Sequence, residues 1–346
     1  METVEMVLPG IGEPETLQAR TRKLPAPAPG QALVRMEATG VSFAEQSMRR
    51  GLYYDQPAFP FVPGYDLVGV VEALGDPTDD GPADIRVGQR VASLTKVGGW
   101  AEHVVLDAAD LVPVPDGVSA AAAETVIVNG LTAWRILHRA APVAPGQTIV
   151  VFAAAGGVGS VLVQLALRAG ARVIGTAGAG QQERLRALGV VPIDYRAEDV
   201  PARVRELAPE GVAAVVDHVG GPGIRDSWRM LAPGGTLVAL SDLTMRDAAH
   251  PMLVFMRLFL RLQLWNVLPN RRHATFFSIW AGKRRPARFR AALREDLGAL
   301  FALLADGTLQ APVDRVFPLS QAAAALRHAE GGGLAGKVVL VADGEA

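Results

Sequence analysis

Residues 149–159, IVVFAAAGGVG, run an apolar segment into a glycine turn, and SVLVQLALRAG (160–170) then takes up an amphipathic helical period. This stretch constrains the fold more than any other. A helix that opens on small residues presents bare backbone N–H groups and the positive end of its dipole. A pyrophosphate can approach such a terminus only where no side chain intervenes. The pattern G-x-G-x-x-G is met from Ala154 through Gly156 to Gly159, with alanine in the first slot. Ala155, Gly156, Gly157, Val158 and Gly159 are therefore the candidate cradle for a dinucleotide. A turn kept for tight strand–helix packing would carry the same local pattern, but the strand before it and the helix after it supply the context a nucleotide site requires.

The chain has 346 residues, which favours two domains over one. Half the residues are apolar and 20% are charged, enough for a large buried core. The net charge of −1 gives no global attraction for nucleic acid. Cysteine is absent, which excludes disulfides, thiolate zinc sites and catalytic thiols. The six histidines are scattered without metal-ligand spacing. The first residues, METVEMVLPGIGEPE, do not read as a signal peptide, and no run of about 18 uncharged apolar residues exists. The expected location is the cytoplasm.

Residues 1–126 read as short strands separated by Pro and Gly, among them 31–41, 66–75 and 89–94, with turns at Pro25–Gly30 and Asp76–Pro82. A helical period occupies 119–139. From 148 the texture alternates: strands are expected at 148–153, 172–176, 190–193, 213–219 and 236–241, and helices at 158–169, 181–188, 199–208 and 223–231. This is the pattern of a doubly wound parallel sheet, an α/β fold. A further strand is expected at 275–280 and a helix at 286–305. The C-terminal β texture resembles the first module, so the two ends of the chain are expected to form one domain around an inserted nucleotide domain. Residues 243–275 break the alternation. Within them PMLVFMRLFLRLQLWNVLP (251–269) is apolar, with Arg257 and Arg261 four apart. It suits a lid, a dimer contact, a membrane-surface helix or one more packed helix.

In a dinucleotide fold an acidic residue about 20 positions past the glycines holds the NAD ribose. Here that slot, Gly175, Thr176 and Gly178, holds no carboxylate, and Arg184, Arg186 and Arg196 lie nearby in sequence. A missing carboxylate removes repulsion against a 2′-phosphate, and a guanidinium can bind one bidentately. NADPH is thus the expected cofactor. Tyr195 is placed to cover the adenine end, and Ser241, at the end of the fifth strand, completes the candidate set.

SFAEQSMRRGLY (42–53), PFVPGYDLVGVVEALG (60–75), VGQRV (87–91), GGWAEH (98–103), NGLTAW (129–134), AAAGGVG (153–159), VVDHVGG (215–221) and GGLAGKVVLV (332–341) occur in order along nearly the whole chain. In these stretches the chain resembles the zinc-free quinone oxidoreductase branch of the medium-chain dehydrogenase/reductases. The resemblance implies a GroES-like catalytic domain (1–126 and 284–346) and a Rossmann NADP-binding domain (127–283, with an insertion at about 243–275), the active site in the cleft between them, and a homodimer. It implies NADPH-dependent reduction of quinones, enones or related activated alkenes. Zinc-containing relatives have Gly-His-Glu where this chain has Gly64–Tyr65–Asp66, so no metal is expected. Arg49, Gly51 and Tyr53 match the family pattern, whereas Ser42 and Glu45 replace its asparagine and aspartate. Thr132 matches a threonine near the nicotinamide. Gln182 stands where some relatives have a phosphate-binding lysine. Lys337 matches the family ending without an assigned role.

Without a metal, a hydrogen-bond donor must stabilise the enolate that forms when hydride reaches the β-carbon of an unsaturated carbonyl. Tyr53 is the first candidate, Ser42 the second and a backbone N–H the third, and Tyr53 or water protonates the α-carbon. Phe43, Glu45, Arg49, Tyr53 and Trp100 are the candidate pocket residues. The expected partner is a small apolar or quinone-like molecule, free or carrier-linked. Between Ala248 and Arg294 the chain carries ten Lys or Arg and no Asp or Glu, a basic stretch suited to an anionic carrier, an acidic protein or an anionic membrane. Two other functions fit the same fold: a low-turnover NADPH-binding scaffold at a membrane, and a redox-neutral biosynthetic catalyst.

Overall fold

A computed structural model describes residues 1–78, 84–246, 248 and 250–344. The expected turn at Asp76–Pro82 lies partly outside the described residues. The chain forms two compact units, Met1–Leu131 with Gly282–Ala346, and Thr132–Ala281.

The first unit opens with a hairpin of β1 (Glu2–Val7) and β2 (Gln18–Lys23). Strand β3 (Gln31–Val41) follows, then helix α1 (Phe43–Arg49), β4 (Asp66–Leu74), β5 (Arg90–Leu94), β6 (His103–Asp107) and β7 (Val112–Pro113). β3 alternates from Val34 to Ala38, where Val34, Met36 and Ala38 are wholly buried and Arg35 and Glu37 are not, and is buried on both faces from Ala38 to Val41. β4 runs antiparallel to β3, and Gly69 permits their close approach, since a Cβ there would lie 2.2 Å from the Arg35 carbonyl oxygen. The helical period at 119–139 folds as α2 (Ala120–Thr125), a π-helical turn (Val126–Gly130), α3 (Leu131–Arg135) and a second π-helical turn (Ile136–Ala140).

The second unit is an all-parallel sheet of β8 (Thr148–Val151), β9 (Arg172–Ala177), β10 (Val191–Asp194), β11 (Val212–Asp217), β12 (Leu231–Ala239) and β13 (His273–Phe276). Their order is β10-β9-β8-β11-β12-β13. The winding direction reverses between β8 and β11, which leaves a crevice at their carboxyl ends, where open α/β sheets bind ligands. Helices α4 (Gly157–Arg168), α5 (Gln182–Ala187), α6 (Val200–Leu207) and α7 (Ile224–Arg229) fall within a residue or two of expectation. Three strands need correction. β11 stops at Asp217 because its carboxylate accepts the N–H groups of Val219 and Gly220 and turns the chain. β12 starts at Leu231, five residues early. The last strand is His273–Phe276, and Asn266 sets its register by clamping both backbone groups of Ala274. Residues 251–269 are dominated by one helix, α8 (Pro251–Asn266).

The chain returns to the first unit with α9 (Pro286–Ala305), β14 (Val313–Pro318), α10 (Ala322–Glu330) and β15 (Lys337–Val341). β15 pairs with β3, so the C-terminal strand completes the first unit's sheet. Trp100, Met36, Leu67 and Leu111 fill the core of that sheet with Leu326 from α10.

Candidate functional site

At the carboxyl end of β8 the chain turns through Ala153, whose φ of +50° is unusual for a residue with a side chain. Thr176 on β9 fixes the turn: its hydroxyl accepts the Ala153 N–H (3.1 Å) and its carbonyl the Ala154 N–H (2.9 Å). Gly156 caps α4 with no side-chain hydrogen bond, so the first N–H groups of a twelve-residue helix stay open. Gly156, Gly157 and Val158 are partly exposed there, while Ala155 and Gly159 are buried. The two outer glycines serve different ends. A Cβ at Gly159 would lie 2.2 Å from the Ala153 carbonyl oxygen, so Gly159 lets helix and strand pack. A Cβ at Gly156 would meet only that same oxygen, at 3.3 Å, so Gly156 keeps the approach to the helix clear.

The carboxyl end of β9 continues the groove. A Cβ at Gly178 would meet only the Tyr195 ring, at 4.0 Å, and the Arg196 guanidinium lies 5.6 Å from the Tyr195 ring centroid. Both side chains are exposed. Gly175 is packed against Ala154 and Val190. Gln182 is turned inward and donates to the Ala177 carbonyl (2.8 Å), and Arg186 pairs with Glu183 (3.2 Å). Of these side chains Arg196 lies beside Tyr195, the ring next to Gly178. Ser241 donates to the His218 carbonyl, and Thr132 is buried in the same unit.

His218 was not among the expected site residues. It follows β11 at the crevice, and its ring Nε2 is sealed from water without a hydrogen-bond partner among the described residues. Burial lowers its pKa to about 4, outweighing the nearby Asp217 carboxylate, so the imidazole is neutral near pH 7. Asn129, in the π-helical turn of the first unit, has a buried Nδ2 in the same condition. The only sequence signals were the motifs VVDHVGG and NGLTAW that carry them.

In the first unit Tyr53 is half-buried, with its hydroxyl 2.5 Å from that of Tyr65. Burial, and then Tyr65, push its phenol well above the ordinary value, so it remains a hydrogen-bond donor. The other expected residues have internal duties. Ser42 caps α1: its hydroxyl accepts from Ala44 (3.1 Å) and donates to the Glu45 carboxylate, which also takes the Ser42 and Tyr65 N–H groups (2.9 and 2.7 Å). In the structure that commits the Ser42 proton to the cap. Glu45 is likewise buried in the cap. Arg49 is buried and held by Glu330 (2.8 Å) and the Gly12 carbonyl, which explains it without a substrate. Trp100 has no exposed surface and donates to the Gly40 carbonyl (3.0 Å), so it belongs to the core and not to a pocket wall. Phe43 stays largely exposed at the start of α1.

Beneath Tyr65 lies a fully buried charge cluster. Lys337 Nζ is 3.3 Å from Asp66 Oδ2 and 3.1 Å from Glu124 Oε1. Burial alone would lower the lysine pKa, but Asp66, Glu124 and Glu45 outweigh it and raise it. Burial, and then Asp66, raise the pKa of Glu124 and of Glu45. Gly40 leaves room for the cluster and donates its N–H to Asp66 (3.2 Å). The cluster includes Asp66 of the Gly64–Tyr65–Asp66 stretch, which the sequence resemblance sets against Gly-His-Glu. The residues here do not fit a zinc ion: a tyrosine hydroxyl engaged with Tyr53 replaces the histidine, and an ammonium already compensates the carboxylate. Among the described residues no three His, Asp or Glu are placed to hold a metal.

The family described as "Alcohol dehydrogenase GroES-like domain" matches residues 28–116, and that described as "Zinc-binding dehydrogenase" matches 188–340. The synaptic vesicle membrane protein VAT-1 homolog of Homo sapiens is 30% identical over 348 residues, covering 97% of this chain and 86% of its own. A 2-haloacrylate reductase of Burkholderia sp is 31% identical over 343 residues, covering 95% and 96%. The Escherichia coli quinone oxidoreductase, solved in complex with NADPH, superposes with a TM-score of 0.83 at 25% identity, covering 98% of this chain and 99% of that one. With a GroES-like unit, a parallel nucleotide-binding sheet and matches along its whole length, this chain belongs to the medium-chain dehydrogenase/reductase superfamily, in its quinone oxidoreductase/VAT-1 branch.

Proposed function

We propose that the protein is an NADPH-dependent reductase of quinones or of alkenes conjugated to a carbonyl, working without zinc. The observation that carries this reading is the open terminus of α4 under a Cβ-free Gly156, beside a ribose slot that offers Arg196 and no carboxylate. NADPH, when bound, supplies the hydride. Ala155, Gly156, Gly157 and Val158 hold its pyrophosphate through backbone N–H groups, with Gly159 and Thr176 fixing their geometry. Gly178 leaves space for the adenosine ribose while Gly175 lets β9 pack against Ala154 beneath it, Arg196 pairs with the 2′-phosphate and Tyr195 covers the adenine. Ser241 and Thr132 serve the nicotinamide end.

The Tyr53 hydroxyl donates to the substrate oxygen as charge develops there, with Tyr65 holding it in place. Such a donor contributes about 3 kcal/mol in comparable sites. Two relatives' names favour this chemistry, one a reductase of a 2-haloacrylate and the other a quinone oxidoreductase. The test is oxidation of NADPH, and separately NADH, with quinones and with short and long enones. Rapid NADPH oxidation with one acceptor class supports the reading. Tight NADPH binding with no oxidation by any acceptor would move it to a scaffold or a redox-neutral catalyst.

A further inference from the structure

Three phenols meet in the first unit, graded from surface to core. Tyr54 is exposed, Tyr53 is half-buried and Tyr65 is only 3% exposed. The Tyr53 hydroxyl lies 2.5 Å from that of Tyr65, and the Tyr54 side chain also hydrogen-bonds to Tyr53. The Tyr53 and Tyr54 ring centroids are 4.7 Å apart, and Tyr65 meets Tyr53 edge-on at 6.1 Å. Neighbouring side chains on an extended strand point apart. Tyr53 and Tyr54 instead lie in an irregular loop that opens at Gly51, whose φ is +68°, and there their rings converge.

The loop is tied to the segment that carries Tyr65. Lys96 Nζ pairs with Asp55 (2.5 Å), while the backbone N–H groups of Thr95 and Lys96 donate to the Tyr65 carbonyl (2.9 and 3.1 Å). Gln56 closes the loop onto the Met48 carbonyl (3.0 Å). Both sides of the phenol pair are thus anchored, as a donor that must meet a substrate in one geometry requires.

A hydroxyl has one proton to give and two lone pairs that accept. Tyr65 is shut off from water and exchanges no proton with it, whereas Tyr54 reaches the surface. We propose that Tyr54 and Tyr65 make Tyr53 a proton donor fed from solvent. Tyr65 donates to the Tyr53 oxygen and so aims the Tyr53 proton at the substrate. Tyr54 returns a proton to Tyr53 after each turnover. The inference rests on the reductase reading. Hydride added at the β-carbon of an enone pushes an electron pair onto the carbonyl oxygen. The Tyr53 O–H breaks as the substrate O–H forms, giving an enol. The Tyr54 O–H then breaks as the Tyr53 O–H re-forms, and water reprotonates Tyr54. The enol becomes the ketone in water, so each enone consumes one hydride and one solvent proton.

The test compares the first turnover with the steady state, in the full chain with NADPH and an enone that the wild type reduces. Tyr54→Phe should lower kcat about tenfold or more. It should still show a burst of NADPH oxidation equal to the enzyme present, because Tyr53 enters the first turnover protonated. A small buffer acid such as imidazolium should restore its steady-state rate as the concentration rises, since the vacated position is at the surface. Tyr65→Phe should slow the first turnover itself about tenfold, with no rescue by buffer. NADPH affinity, measured by fluorescence titration, should match wild type in both variants and reports that the fold is intact. Unchanged kcat in Tyr54→Phe, or a loss with neither burst nor rescue, would overturn the relay. So would a wild-type first turnover in Tyr65→Phe. These outcomes leave the reductase reading standing. A wild type that oxidises NADPH with no acceptor would overturn that reading and the relay with it.

Discussion

Tyr53 carries the chemical reading, and its partner explains its state. A phenol held 2.5 Å from a second phenol in a half-buried site is costly to ionise, so it keeps its proton; accepting from Tyr65 leaves that proton to be donated to a substrate. Tyr53→Phe should lower kcat about 10²-fold while NADPH affinity stays at the wild-type value, measured by steady-state kinetics beside fluorescence titration. His218 yields a prediction in stability. Its folded pKa of about 4 lies below the ordinary 6.5, so between those values the unfolded chain binds a proton that the folded chain does not. Stability therefore falls as pH drops from 6.5 towards 4, by up to about 3 kcal/mol, and His218 imposes no such dependence at higher pH. In urea unfolding across that window, His218→Gln should show a shallower decline than wild type; a parallel decline would mean the ring is not sealed. Lys337→Met leaves Asp66 and Glu124 buried without their cation. A loss of about 3 kcal/mol or more at pH 7, shrinking as acid protonates the carboxylates, is expected from the same measurement.

At the scale of elements, the turn between β8 and α4 separates packing from binding. Gly159→Ala drives a methyl into backbone and should cost about 1–3 kcal/mol. Gly156→Ala meets a single backbone oxygen at 3.3 Å, so melting should fall less than for Gly159→Ala while NADPH binding weakens by about tenfold, the methyl standing where the pyrophosphate approaches. Thermal unfolding paired with cofactor titration distinguishes the two. These elements were legible because their signals are local. Apolar period, glycine turn and cap residues lie within a few positions of one another, and helix 286–305 matches its expected limits. Contacts remote in sequence were not legible. Lys337 meets Asp66 across 271 positions, Arg49 meets Glu330 across 281, and the Trp100 indole finds the Gly40 carbonyl across 60. Each was expected to be unassigned or substrate-facing because nothing adjacent in the chain reveals its partner. Periodicity could not separate the two π-helical turns from α-helix, because each is a single turn of five residues, too short to show a period of its own.

For the whole molecule, cofactor choice follows from what the nucleotide unit lacks as much as from what it holds. Gln182 is occupied with the Ala177 carbonyl, and Arg196 lies over Tyr195, so Arg196 is the residue proposed to meet the 2′-phosphate. Arg196→Glu should weaken NADPH by tenfold or more while NADH binding changes little, since only the former carries a phosphate there to repel. The central claim is that a zinc-free site moves hydride from NADPH to an activated acceptor. The most direct measurement follows deuterium from C4-deuterated NADPH into the products of a panel of enones and quinones, by mass spectrometry and with stoichiometric NADPH loss. Label at the β-carbon of a reduced enone, with full activity in the presence of a strong chelator, is the predicted result. Product formed without NADPH loss, or activity abolished by the chelator and restored by zinc, would contradict the account.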